Sequence, residues 1–342
     1  MFAIIVLTYI LHSTFYIHNL SIFAANFQTP QMNHLGEIIA LGVAVSWTIT
    51  ALFADLGSHR LGALTLNLLR MILSLLMLSV LLWVMTGSPI PTGANSAAWG
   101  WLLLSGVVGY VFGDYCLFNS YVVFGSKFGQ LFMTLAPPAA GITGWLFLGE
   151  AMSWKSWLAM LVTLSGIAFT ILARGDDHKL KLKLPPKGVL FGIGAGVGQG
   201  VGLVISKIGL NCYEQNLLPG GDTSIRAMLP FAGTYIRALA GLVGFFLILC
   251  LRHSLGDVRT ALRDRKGMTY ATLTTFFGPF LGVSMSLMAV QYAHAGIAST
   301  LMALTPVLII VPYSILYHQK ISPKEVVGTL ITMAGVAMFF ML

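Results

Sequence analysis

Residues Leu131 to Glu150 read LFMTLAPPAAGITGWLFLGE. The run is apolar enough to sit in lipid, yet two adjacent prolines fall inside what hydropathy alone would make one helix. Proline in a helix interior removes a backbone hydrogen bond and clashes with the preceding turn. A second stretch, Thr300 to Gln319, reads TLMALTPVLIIVPYSILYHQ and places Pro306 where Pro137 stands, 169 residues further on. A chain that breaks the same helix twice is built from two copies of one unit.

At that offset the halves match without a gap from Trp99 to Leu172. Gly113 falls on Gly282, Met133 on Met302, Leu135 on Leu304 and Thr163 on Thr332, with Gly166 on Gly335 and Ala168 on Ala337. Earlier the offset is slightly smaller: Arg70 falls on Arg237 at 167, the difference lying in the loop NLLPGGDTS of the second half. Trp47 and Gln199 hold matching places in the first helix of each copy.

Composition sets the class. Hydrophobic residues make up 57% of the 342-residue chain and charged residues 9%, against about 25% charged in soluble domains. That is too little charge to cover a soluble surface, so the chain reads as an integral membrane protein of the plasma (inner) membrane. The net charge of +8 is spread over loops with no basic cluster, which argues against nucleic acid and for charges that set orientation. Cys116, Cys212 and Cys250 sit in or beside apolar runs at no metal or disulfide spacing.

Apolar windows of about 20 residues, the length that crosses a bilayer as a helix, fall near 36–56, 61–85, 97–120, 127–148 and 153–173. Five more fall near 188–210, 228–251, 268–291, 296–317 and 323–342. The expected fold is all-α: ten transmembrane helices in two five-helix repeats, 32–173 and 188–342, joined by the charged linker 174–187. An odd number of spans per copy inverts the second copy in the bilayer, an arrangement whose common use is transport through a midplane site. Residues 1–31 are an apolar extension without the basic start or clear cleavage site of a secretory signal. They are read either as an eleventh span or as an artefact upstream of a start at Met32.

The repeat also resembles a family. TLAPPAAGITGWLFLGE followed by LVTLSGIAFTIL, and GPFLGVSMSLMAVQYAHAGIASTLMALTPVL in the second half, look like the EamA-type branch of the drug/metabolite transporter superfamily. The resemblance spans roughly 36–342. It implies a ten-helix carrier that moves small metabolites, often outward, by alternating access, with both termini inside the cell. One departure stands out: the family's glutamate after the fourth helix is Glu150 here, whereas its repeat partner is Gln319.

Charged and polar residues within the spans mark the candidate site. Arg70 and Asp114 lie at similar depth from one membrane face, roughly 9–14 Å by helix rise, so an ion pair between them is geometrically open. An unpaired charge there costs several kcal/mol. Asp114 reads equally as a carrier of a coupling proton. Arg237 lacks a carboxylate at the corresponding position, because the partner of Asp114 is Val283; it is free to meet an anionic group of a substrate. Trp47, Asn119, Gln130, Gln199 and Gln291 are the further substrate-binding candidates, each of which would serve equally as a helix–helix hydrogen bonder. Pro137, Pro138 and Pro306 are candidate hinges facing the centre of the bundle.

The run GIGAGVGQGVG (192–202) matches neither the dinucleotide nor the P-loop pattern. Gly192, Gly196 and Gly200 instead share one helix face, a small-residue stripe that lets helices pack closely. Nothing resembles a catalytic triad, carboxylate pair or metal cluster, so neither enzyme activity, a metal nor a cofactor is expected.

The function expected is a secondary carrier, in the exporter sense, for a small polar or amphipathic metabolite, with the proton as driving ion. Its partners are that substrate and the lipid bilayer, with a homodimer left open. The alternatives are a flippase for a lipid-linked anion and a non-transporting scaffold or membrane enzyme. Loops after odd-numbered helices hold 14 Lys and Arg against about 3 in the others. The positive-inside rule puts the former in the cytoplasm and the C-terminus outside, opposite to what the resemblance implies.

Overall fold

A computed structural model describes residues 34–173, 185–217, 223–310, 312 and 323–341. The chain separates into Met1–Leu35 and Gly36–Leu342. The extension 1–31, most of the linker and Gln319 lie outside the described residues; both repeats belong to the second unit.

Peptide groups in hydrocarbon must be satisfied within their own segment, and every regular element among the described residues is helical. The first repeat runs α1 (Leu35–Leu61), α2 (Ala63–Thr86), α3 (Ser96–Gly106), a π-helical stretch (Val107–Asp114), α4 (Tyr115–Phe132), a 3-10 turn (Met133–Leu135), α5 (Ala136–Leu148) and α6 (Trp154–Ala173). The second runs α7 (Pro186–Asn216), the short α8 (Thr223–Ala227), α9 (Leu229–Leu251), α10 (Leu255–Arg263), α11 (Arg265–Thr275), a second π-helical stretch (Phe276–Val283), α12 (Ser284–Tyr292), α13 (Ala295–Met302), α14 (Thr305–Leu308) and α15 (Pro323–Phe340).

Among the described residues, six helical pieces are long and apolar enough to cross a membrane: Leu35–Leu61, Ala63–Thr86, Ser96–Val123, Pro186–Asn216, Leu229–Leu251 and Arg265–Tyr292. Met133–Leu148 and Trp154–Phe169 are apolar but shorter, and the expected span 296–317 is divided among α13, α14 and residues beyond the described ones. Trp83, Trp145 and Trp154 project outward near helix ends, where amphipathic rings suit a membrane interface.

The prolines do not stand where the sequence reading put them. Pro137 and Pro138 occupy the first turn of α5, after the 3-10 turn, and Pro306 the first turn of α14. The first turn of a helix has no internal partner for its N–H groups, and in a bilayer interior such orphans are costly. Proline there supplies no N–H and a φ already suited to the helix. The residues therefore start a second helix at an interrupted span and do not kink a continuous one. Gly149 closes α5 with φ 67°, its N–H bonded back to Trp145 O, a left-handed cap that glycine adopts without strain.

The contacts between the repeats are reciprocal. A Cβ on Gly166 of α6 would lie 2.5 Å from Thr332 N of α15, and one on Gly335 would lie 2.5 Å from Thr163 N. Each residue meets the counterpart of its own neighbour, and the pairing runs antiparallel along the two helices, which is what a two-fold relation requires. The same holds for the first helices, α1 and α7. Gly42 faces Met285, and Gly194 faces Cys116. Ser46 donates to Phe277 O at 2.6 Å, and Gly198, in the corresponding place, backs onto Val108 O. The first helix of each repeat is thus clamped against the π-helical stretch of the other.

The glycine stripe of α7 has a defined partner. A Cβ on Gly192 would fall 2.3 Å from the Phe132 ring, on Gly196 2.4 Å from Phe132 O and on Gly200 2.3 Å from Ala136 O. The helix packs on the backbone of the break between α4 and α5, where no side chain fits between.

Candidate substrate site between the repeats

Three residues from three helices form the buried polar centre. Arg70, 4% exposed on α2, donates from Nη1 to Asn67 Oδ1 at 2.6 Å and to Asp114 Oδ2 at 3.1 Å. Its guanidinium lies 4.6 Å from the centre of the Phe118 ring. The other oxygen of Asp114 accepts from Gln199 Nε2 at 2.6 Å, and the same nitrogen lies 3.1 Å from Gly109 O. Asp114, at the end of the first π-helical stretch, therefore joins its own repeat to α7 of the other with both oxygens engaged.

Arg237 is the repeat counterpart of Arg70, yet its surroundings differ. It is 3% exposed on α9, its guanidinium sits 5.0 Å from the Tyr110 ring centre, and its Nε, like that of Arg70, has no hydrogen-bond partner. Among the described residues no ion pair joins it. The Tyr110 hydroxyl is buried and unpaired as well. Reciprocity survives in the backbone: Arg237 Nη2 packs over Gly109 and Arg70 Nη2 over Gly278, glycines at equivalent places in the two π-helical stretches.

A cavity of about 40 Å³ opens beside Arg237. That is space for roughly three waters, so the bundle is nearly closed. Repeat counterparts line it in pairs: Trp47 with Gln199, Gln130 with Ser299, and Met133 with Met302. Ala136 and Thr305, the residues before Pro137 and Pro306, are a further pair. The interrupted helices thus begin at the cavity wall.

Of the residues expected at a site, Trp47, Gln130, Gln199 and Arg237 line this cavity, with Arg70 and Asp114 tied to it through Gln199. Asn119 and Gln291 are not brought there. Asn119 Nδ2 donates to Tyr115 O of its own helix at 2.6 Å, and Gln291 is half-buried in the last turn of α12. Hydroxyls at Ser286 and Ser299 were not anticipated; the signal that finds Ser299 is its register with Gln130.

A second cluster went unanticipated. Glu150, just after α5, pairs with Lys207 of α7 and accepts the Ala295 N–H that opens α13 at 2.8 Å. Lys207 Nζ also donates to Ala293 O at 2.8 Å, and His294 Nδ1 lies 3.9 Å from Glu150 Oε2. A carboxylate at a helix N-terminus satisfies an orphan donor and meets the positive end of the helix dipole. At the far end of α1, Arg60 hydrogen-bonds Asp264, which caps α11 through Gly267 N at 3.2 Å. The Arg60 hydrogen bonds are the main reason the Asp264 carboxyl is held below the usual carboxylate range. Both ion pairs cross between repeats, Arg60 at the end of α1 and Lys207 in the second half of α7.

Comparison with known proteins places these features in a class. The model of the EamA-like transporter family matches residues 34–172 and 186–341. The chain belongs to that family, a membrane transporter built from two EamA repeats. A solved crystal structure of a protein 15% identical in sequence superposes with a TM-score of 0.66, covering 90% of this chain and 96% of the other; the likeness is one of fold. No curated protein matches the sequence.

Proposed function

We propose that the protein is a secondary carrier that moves a small polar or amphipathic metabolite across the plasma membrane, outward, by alternating access at the cavity between inverted repeats. The observation that carries this reading is the lining of the cavity by repeat counterparts, Trp47 with Gln199 and Met133 with Met302. A site on a two-fold axis meets both faces of the membrane equivalently, as alternating access demands.

The two cross-repeat ion pairs act as latches at opposite ends. α1 and α7 are related by inversion, so Arg60 beyond Trp47 and Lys207 beyond Gln199 lie on opposite sides of the cavity, by about 20 and 12 Å of helix rise. With both pairs made and the cavity contracted, the conformation is an occluded one. The chain breaks before Pro137 and Pro306 are the hinges at which α5 and α14 swing. The proton is the driving ion, and the loop 252–267 faces the cytoplasm.

Reconstitution into liposomes tests the reading. Metabolites that raise the thermal stability of the purified protein are assayed for exchange across the bilayer, and Arg237→Ala is expected to abolish exchange while still inserting. Stabilising ligands that never cross would overturn the proposal, and full exchange by that variant would remove Arg237 from the site. Labelling of a cysteine in loop 252–267 from outside intact cells would reverse the orientation.

A further inference from the structure

We infer that the cavity, once widened from this contracted state, takes an organic monoanion, a small carboxylic acid with an apolar or aromatic body whose carboxylate meets Arg237. The inference deepens the transport reading and depends on it only for the ligand's being carried as well as bound.

Charge bookkeeping at the centre comes first. The buried Arg70 has its counter-charge in Asp114, and Asp114 has no oxygen to spare, since Arg70 and Gln199 engage both. Arg237 is as deeply buried and has no acid in ion-pair contact among the described residues, Val283 standing where the repeat would place one. A guanidinium alone in the membrane interior is costly. Stacking on Tyr110 covers one face of the guanidinium and supplies no charge. The donor edge of a guanidinium is shaped for a carboxylate, and Arg237 lines the cavity with no ion pair among the described residues.

The excess of one positive charge sets the ligand's valence. A cation would be repelled by Arg237, and a dianion would bring a second charge with no partner. The rest of the wall sets the body: Trp47, Met133, Met302 and Leu203 present apolar and polarisable surface, with the Ser286 and Ser299 hydroxyls as polar points. Aromatic and thioether side chains suit an apolar ring, the sulfur favouring contact with an aromatic edge.

The test uses the full-length protein in nanodiscs, with binding read from tryptophan fluorescence and thermal shift. The probes are phenylacetate, its neutral isostere phenylacetamide, the cation phenethylamine, and formate as an anion without a body. The expected order for the wild type is phenylacetate tighter than phenylacetamide by about tenfold or more, with formate and phenethylamine weaker still. Val283→Asp, which gives Arg237 the partner that Arg70 already has, is expected to erase the preference for the acid over the amide. Arg237→Lys should keep it in weakened form. The amide or the amine binding as well as the acid, formate binding as well as phenylacetate, or no probe binding would each overturn the inference. The wild-type comparison needs no variant, so a misfolded substitution leaves the test intact. Acid-selective binding without exchange across liposomes would sink the transport reading alone, and exchange without acid preference would sink this inference alone.

Discussion

Asp114 Oδ1 and Gln199 Nε2 meet at 2.6 Å across the boundary between the two repeats. Through that bond the ion pair made inside the first repeat reaches a helix of the second, and a change at Asp114 is felt on both sides.

Asp114→Asn is expected to be strongly destabilising, although asparagine keeps the size and much of the hydrogen bonding. The loss leaves Arg70 buried without a counter-charge, a situation that costs about 3–5 kcal/mol in protein interiors. The double variant Arg70→Gln with Asp114→Asn removes both charges and should regain part of that loss. Thermal unfolding of the purified proteins checks this; a single variant as stable as the wild type would mean the pair contributes nothing.

Lys207→Met should loosen the end of the bundle closed by Glu150. The side chains of the pair are 12% and 14% exposed, so the attraction is little screened by water. With Ser299→Cys as a reporter in a background lacking Cys116, Cys212 and Cys250, labelling by a membrane-impermeant thiol reagent should quicken by about tenfold. That factor corresponds to about 1.4 kcal/mol in the balance of closed and open states. An unchanged rate would remove the latch.

Gly166→Ala and Gly335→Ala should be destabilising to a similar degree, by about 1–3 kcal/mol each. Each added methyl meets backbone 2.5 Å away, which neither helix can yield without moving apart. Because the two sites belong to one interface, the double variant should fall short of the sum of the singles. Strongly unequal losses would speak against the two-fold relation.

Asp264 gives a pH prediction. Its carboxyl is held down chiefly by the Arg60 hydrogen bonds, so the folded state keeps the carboxylate charged to lower pH than the unfolded chain does. The contribution is present above the normal carboxylate range of about 4 and disappears as the pH falls through the lower folded value. The stability difference between wild type and Asp264→Asn should therefore be constant from about pH 8 to 5 and shrink only below about 4. A difference that collapses between about pH 7 and 5 would contradict it. Any proton dependence of transport near neutrality must then arise elsewhere.

Much of this architecture is legible in the chain because repetition writes it twice. The register that sets Met133 on Met302 also sets Gln130 on Ser299, and all four line the cavity. The same register explains why Arg237 stands alone, since Val283 carries no charge. Hydropathy, by contrast, smooths over the 3-10 turn Met133–Leu135, because nothing in those three side chains marks a break; hence the prolines read as interior. Asn119 and Gln291 read as cavity residues because helical position does not reveal which face meets a neighbour. Glu150 and Lys207 are 57 residues apart in sequence, and no local pattern announces that they touch.

The two π-helical stretches, Val107–Asp114 and Phe276–Val283, lie in register, and each stores slack. A π turn is wound looser than an α turn, so each third helix carries surplus length midway along its path. Were that surplus let out at one end and taken up at the other, the segment between would turn by about 100° per residue with its backbone still bonded. Asp114 and Val283 stand at the exits of these loose windings, and such a turn would swivel one towards the cavity and the other away.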